Sequence, residues 1–268
     1  MSSTLQLTTY HGEIGPFPVS SVIVTGETEA VLIDAQFTLA DAHRVVALVL
    51  ASGKRLTSVY VSHGDPDYYF GLGVIRDAFP GVRIVASGPT VEHIAHSAAA
   101  KLATWGPQLG VNGPTNVLLP NVLDGDHLDL EGHRLEIVGL DGATPDRSFV
   151  WIPDLEAVVG GVVVYGGLHL FTADTATLDA RAAWGDTLDV LTALRPSIVV
   201  AGHAAPDFPQ DLRGVTGSRE YLQVFEQAVT DTADSAELID VMRGRFPEFG
   251  LPIALQLGAK VAKGEMTW

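Results

Sequence analysis

The chain has 268 residues, 47% of them hydrophobic and 18% charged, enough to bury a sizeable core. Its 16 Lys and Arg against 32 Asp and Glu give a formal charge of −16, which argues against nucleic acid or an anionic membrane as partner, since phosphate binding draws on Lys and Arg. With no cysteine, disulfides and thiolate ligands are excluded, and any metal must be held by His, Asp or Glu.

The opening "MSSTLQLTTYHGEIG" lacks a basic stretch followed by an apolar one, so no signal peptide is expected. No apolar run approaches the roughly 20 residues that cross a membrane, and the expected location is cytoplasmic. "VSSVIVTGETEAVLIDAQ" reads as two strands around a Gly-Glu turn, the second ending at Asp34. "LADAHRVVALVLASGKR" has helical spacing, with Asp41 near its start and Gly53 near its end. "LTSVYVSHG" is a buried strand that delivers His63 at its C-terminal end. "GLGVIRDAFPG" predicts a short helix stopped at Pro80, "VRIVASGP" a strand, and "TVEHIAHSAAAKLATWG" an amphipathic helix.

The second half starts with "DHLDLEGHRLEIVGL", two strands joined at Glu131-Gly132, and "RSFVWIPDLEAVVGGVVVY", again strand, turn, strand. "TLDARAAWGDTLDVLTAL" is helical, and "PSIVVAGH" is a strand ending in His203. "SREYLQVFEQAVT" and "SAELIDVMRGRF" are C-terminal helices. Both halves alternate strands with helices and send a His to a strand end, the α/β pattern of two sheets packed face to face with helices outside. Loops at one edge would then carry the chemistry.

Asp34, "SHGDPDYYFG" at 62–71, "DGATPD" at 141–146, "VVGG" at 158–161 and "AGH" at 201–203 follow one another in an order and spacing that resembles the metallo-β-lactamase superfamily across nearly the whole chain. The resemblance implies an αβ/βα sandwich over residues 1–268, with a helical extension from about 215 to 268. It also implies a metal-binding edge. The family loop has the form His-x-His-x-Asp-His, and here it reads His63-Gly64-Asp65-Pro66-Asp67-Tyr68. His63, Asp67 and the fifth-segment His203 match, while Asp65 and Tyr68 stand where histidines are usual. Ala143 falls where the third segment offers His or Asp, and Gly161 where a carboxylate bridges two metals.

A catalytic zinc needs about three protein ligands plus water, and neither half of a two-metal centre reaches that count. The favoured expectation is chemistry without metal, with His63, Asp65, Asp67, Tyr68 and His203 as the catalytic group. Neighbouring carboxylates freed of cations raise each other's pKa, the histidines take protons, and the Tyr68 phenol donates to an oxyanion. Such a group suits hydrolysis, elimination or cyclisation of a small, neutral or cationic organic molecule. Two alternatives stand beside it: a single Zn, Mn or Fe ion on His63, Asp65, Asp67 and His203, cleaving an ester or lactone, and a non-catalytic small-molecule-binding protein.

His169 and Phe70 are expected to line the substrate pocket. His93 and His96, three apart on a helix, have no acidic partner nearby in sequence and read as surface or packing residues. Gly71-Leu72-Gly73 lacks the rest of a dinucleotide fingerprint and reads as helix-start geometry. Trp105, Trp151 and Trp184 read as core or rim. "GLPIALQLGAKVAKGEMTW" could pack on the domain or on a partner, which leaves a homodimer open.

Overall fold

A computed structural model describes residues 4–12 and 17–268, so part of the opening stretch read for a leader lies outside the described residues. Strands β1 (Gln6–His11), β2 (Ser20–Thr25) and β3 (Glu29–Ile33) form an antiparallel meander. Helix α1 (Leu39–Ser52) then crosses to β4 (Arg55–Val61), which lies parallel to β3. Thr38 caps α1 by accepting from the Asp41 amide, and Gly53, at φ 66°, supplies the left-handed residue that ends it. The short turns α2 (Pro66–Tyr69) and α3 (Leu72–Ala78) lead to β5 (Arg83–Ala86), helix α4 (Gly88–Leu109) and β6 (Asn121–Val122). The first sheet therefore runs β1-β2-β3-β4-β5-β6.

Next come β7 (His127–Leu130), β8 (His133–Val138), β9 (Phe149–Ile152), β10 (Ala157–Val159) and β11 (Tyr165–Gly166). Helix α5 (Leu178–Ala193) precedes β12 (Ile198–Val199) and β13 (His203–Ala204). The second sheet runs β12-β10-β9-β8-β7, and β11 pairs with β13 in a two-stranded ribbon. The single strand expected through "PSIVVAGH" is thus split. After Val200 the chain leaves the large sheet, and the Gly202 amide bonds to the Val164 carbonyl. Helices α6 (Leu212–Asp231), α7 (Ser235–Arg245) and α8 (Pro252–Ala262) complete the chain.

The period-two alternation of the strands sorts their side chains into two cores. Val22, Val24, Val31, Ile33 and Tyr60 point inward against Leu128, Leu135, Ile137, Val150 and Ile152 of the second sheet. Their neighbours Ile23, Leu32, Val59 and Val61 face outward under the helices. Four layers follow, the αβ/βα sandwich. Ala254, Leu255 and Ala259 of α8 are buried in the helix-side core, so the apolar C-terminal stretch packs on its own chain.

Candidate functional site

The strand ends of both sheets meet at one edge. Asp34, just past β3 and at φ 65°, accepts from the Ser62 amide at 2.8 Å and from Ser62 Oγ at 2.6 Å. Ser62 Oγ in turn accepts from the Gly161 amide, just past β10, at 2.7 Å. Burial pushes the Asp34 carboxyl up to about 7, against the opposing pull of the Ser62 hydrogen bonds. A polar chain thus runs from one sheet to the other directly beneath the loops.

The loop after β4 carries His63, Asp65, Asp67 and Tyr68, and His203 on β13 faces it. His203 Nδ1 lies 2.6 Å from the Pro18 carbonyl. That carbonyl can only accept, so Nδ1 carries the proton and Nε2 presents a lone pair. Two groups meet that lone pair, Tyr68 Oη at 3.2 Å and Asp67 Oδ2 at 3.3 Å. Tyr68 Oη is also 3.4 Å from the Gly161 carbonyl. An ion pair would lower Asp67 and raise His203, yet both move the other way. Burial, helped by the charge of Asp65, pushes Asp67 up to about 8, and burial pushes His203 down to about 4. At neutral pH the pair is a carboxylic acid facing a neutral imidazole. Burial likewise holds the Tyr68 phenol well above its usual value, so it stays protonated.

His63 and Asp65 belong to a second group. His63 Nδ1 is 3.0 Å from the Asp146 carbonyl, and Nε2 is 3.3 Å from Asp65 Oδ2. Burial disfavours the Asp65 anion, but the Lys101 ammonium and His63 outweigh it and hold the carboxyl well below its usual value. Lys101 Nζ, reaching in from α4, lies 2.6 Å from Asp65 Oδ1, 2.9 Å from the Gly64 carbonyl and 3.1 Å from His93 Nε2. His93 Nδ1 is 3.1 Å from Asp146 Oδ2. That hydrogen bond leads the contacts that hold Asp146 down at about 2. Arg147, 3% exposed, pairs with Asp174 Oδ2, its guanidinium 4.3 Å over the Trp184 ring.

Sequence reasoning missed Lys101, His93, Asp146, Arg147 and Asp174. The reading of His93 as a bland helix residue is corrected here, because its acidic partner comes from a segment 53 residues away. The available signal was the spacing His93-Ser97-Lys101, which places all three on one face of α4.

A pocket of about 40 Å³, room for a few waters, opens onto Asp65, Asp67, Lys101 and His203 between the rings of Phe17, Trp105 and Phe171. It adjoins a cleft of about 940 Å³ that shares Asp65, Lys101 and Trp105. His63 and Tyr68 are fully buried behind this surface. Neither His169 nor Phe70 lines the pocket. His169 sits under α6, its Nδ1 3.2 Å from Tyr221 Oη and its ring against Phe249. Phe70 packs on Phe37 and Tyr69 in the core. Trp105 stands on the pocket rim, whereas Trp184 is core, its Nε1 donating to the Val163 carbonyl at 2.8 Å.

Among the described residues, His63, Asp65 and Asp174 form one group whose ligating atoms lie within 4.8 Å of one another. His63 Nε2 and Asp174 Oδ1 are both buried without a hydrogen-bond partner.

A four-layer sandwich with a His- and Asp-bearing loop at the shared edge of its sheets is the architecture of a hydrolase superfamily. The chain belongs to that family: residues 14–203 match the model of the metallo-beta-lactamase superfamily. Solved structures agree on the fold. A metallo-beta-lactamase family protein from Thermus thermophilus is 17% identical with a TM-score of 0.64, covering 97% of this chain and 91% of its own. A metallo-beta-lactamase from Pontibacter korlensis is 19% identical with a TM-score of 0.58, covering 83% and 96%. One from Erythrobacter litoralis, solved with beta-mercaptoethanol in its active site, is 18% identical with a TM-score of 0.56, covering 82% and 92%. No curated protein sequence matches the chain. No helix among the described residues is long and apolar enough to cross a membrane.

Proposed function

We propose that this protein is an enzyme of the superfamily that has given up the two-metal centre and performs acid–base chemistry on a small organic molecule, hydrolysis being the favoured reaction. The observation that carries this reading is the Asp67–His203–Tyr68 cluster, in which a protonated acid and a phenol meet the free lone pair of a fixed imidazole.

The family's two metals do not fit these residues. Ala143 has no donor atom where the third ligand is expected. Gly161 has φ 76°, and a Cβ there would lie 2.2 Å from the Ser148 carbonyl oxygen, so a bridging carboxylate has no room. Tyr68 Oη lies against His203 Nε2, the nitrogen a second ion would need.

With Asp67 and His203 both opening onto the pocket, their roles separate by pKa. His203 Nε2 takes a proton from water or from the substrate, acting as general base. Asp67, protonated near neutrality, returns a proton to the leaving group, acting as general acid. Tyr68 does not reach the pocket and acts as a positioning residue. Once His203 Nε2 has taken its proton it donates to the Asp67 carboxylate and the Tyr68 oxygen, while the Tyr68 hydroxyl keeps its own proton on the Gly161 carbonyl and so holds the imidazole aligned. The aromatic rim fits a substrate with a flat or apolar body, which would lie in the adjoining cleft of about 940 Å³ and reach only its reacting end into the small pocket.

The test is a panel of small esters and lactones, assayed before and after exhaustive dialysis against chelator. We expect turnover of at least one substrate to survive dialysis unchanged, and Asp67→Asn or His203→Gln to lower kcat by about 10²- to 10⁴-fold. The pH profile of the active substrate should be a bell with limbs near 4 and 8, set by His203 and Asp67 acting as a coupled pair. Activity lost on dialysis and restored by Zn, Mn or Fe would overturn the reading.

A further inference from the structure

Among the described residues, the one group able to gather metal-ligating atoms is already supplied with cations from the protein itself. Asp65 gives one oxygen to the Lys101 ammonium and turns the other toward His63 Nε2. Asp174 gives one oxygen to Arg147 and leaves the other buried and free. Each carboxylate is therefore matched by one fixed positive charge before any ion arrives.

Lys101 is held too tightly to serve a substrate. Asp65 Oδ1, the Gly64 carbonyl and His93 Nε2 take all three of its N–H donors. His93 can accept because Asp146, an ionised carboxylate that only accepts, keeps the ring proton on Nδ1. The Lys101 side chain is 16% exposed, so little water screens its charge.

We propose that Lys101 is a built-in replacement for the first metal ion. It pairs with the Asp65 carboxylate, pins the loop through the Gly64 carbonyl, and by its charge keeps divalent ions out of the His63–Asp65–Asp174 group. Removing the ammonium should turn that group into a site for one transition-metal ion, since one imidazole and two carboxylates suit Zn, Mn or Co. This rests on the metal-free reading above but reads out metal uptake, not activity.

The experiment is Co(II) binding, followed by visible absorption and equilibrium dialysis, to wild-type protein and to Lys101→Met, Lys101→Arg and Lys101→Met/Asp174→Asn. Met keeps the apolar stem and removes the charge, while Arg keeps the charge. We expect Lys101→Met to bind one Co(II) per chain on the order of a hundredfold tighter than wild type, as removal of a charge within a few ångströms of the ion requires. Lys101→Arg should behave as wild type, and the double variant should lose the ion. Wild-type protein binding one Co(II) as tightly as Lys101→Met would overturn the proposal. So would a Lys101→Met protein that melts like wild type and binds none. Chelator-resistant turnover alongside tight wild-type Co(II) binding would sink this proposal alone and leave the acid–base reading standing.

Discussion

Raising the pH from 6.5 to 9 should destabilise the fold, and the amount follows from its buried carboxyls and histidines. Asp67 and Asp34 sit in the fold at about 8 and about 7, whereas carboxyls of the unfolded chain ionise near 3.9. Through this window the native state therefore holds protons that the unfolded chain has already lost, so stability falls as pH rises. Between pH 6.5 and 9 the loss is about 2 kcal/mol from Asp67 and about 0.8 kcal/mol from Asp34. His203 and His169, both depressed to about 4 by burial, each return about 0.4 kcal/mol as the unfolded histidine loses its proton. His63 is raised despite its burial, because the neighbouring Asp65 carboxylate favours its charged form, so it adds to the loss. The net expectation is about 2 to 3 kcal/mol, read by urea denaturation at several pH values with the m-value held constant. Asp67→Asn should remove about 2 kcal/mol of that slope. A stability that is flat or rising between pH 6.5 and 9 would refute the assignment of protons to these carboxyls.

Two substitutions probe the scaffold beneath the site. Ser62→Ala removes the hydroxyl that bridges Asp34 and the Gly161 amide, leaving two buried polar groups short of a partner, and should cost about 2 to 4 kcal/mol in chemical denaturation. Gly202→Ala puts a Cβ 2.0 Å from the Gly161 carbonyl oxygen and 2.9 Å from Tyr68 Oη. It should lower stability by at least about 1 to 3 kcal/mol and disturb the Tyr68–His203 contact, visible as a shifted pH–rate profile.

Much of the fold was legible because its strands announce themselves. Alternation in "VSSVIVT" and "LTSVYVS" sorts Val22, Val24 and Tyr60 to one core and Ile23, Val59 and Val61 to the other. Gly53, read near the end of α1, is its left-handed cap, and Asp41 falls in the first turn with Thr38 as the N-cap. The break between β12 and β13 was not legible, because apolar periodicity continues through Val199, Val200 and Ala201 while the backbone changes sheet. The loop from His63 to Tyr68 stood out because chemistry-bearing residues are crowded within six positions. Lys101, Asp146, Arg147 and Asp174 did not, since each acts through a partner brought close only by the fold. His169 drew attention by its place in "YGGLHLFTADT", yet Tyr165 and Phe171 of that segment line the pocket and Asp174, five residues on, joins the His63–Asp65 group.

The Asp34–Ser62–Gly161 chain has a consequence for how this edge tolerates change. In a metal-centred site the ion is itself a strut: ligands from several loops are held in register by their common bond to it, and losing one ligand loosens the rest. Here the ends of β3, β4 and β10 are tied by hydrogen bonds buried below the loops. On the proposed reading, residues above that tie, such as Asp65 and Tyr68, can be exchanged one at a time without the rim coming apart. A scaffold wired in this way is free to trade one chemistry for another while its shape stands still.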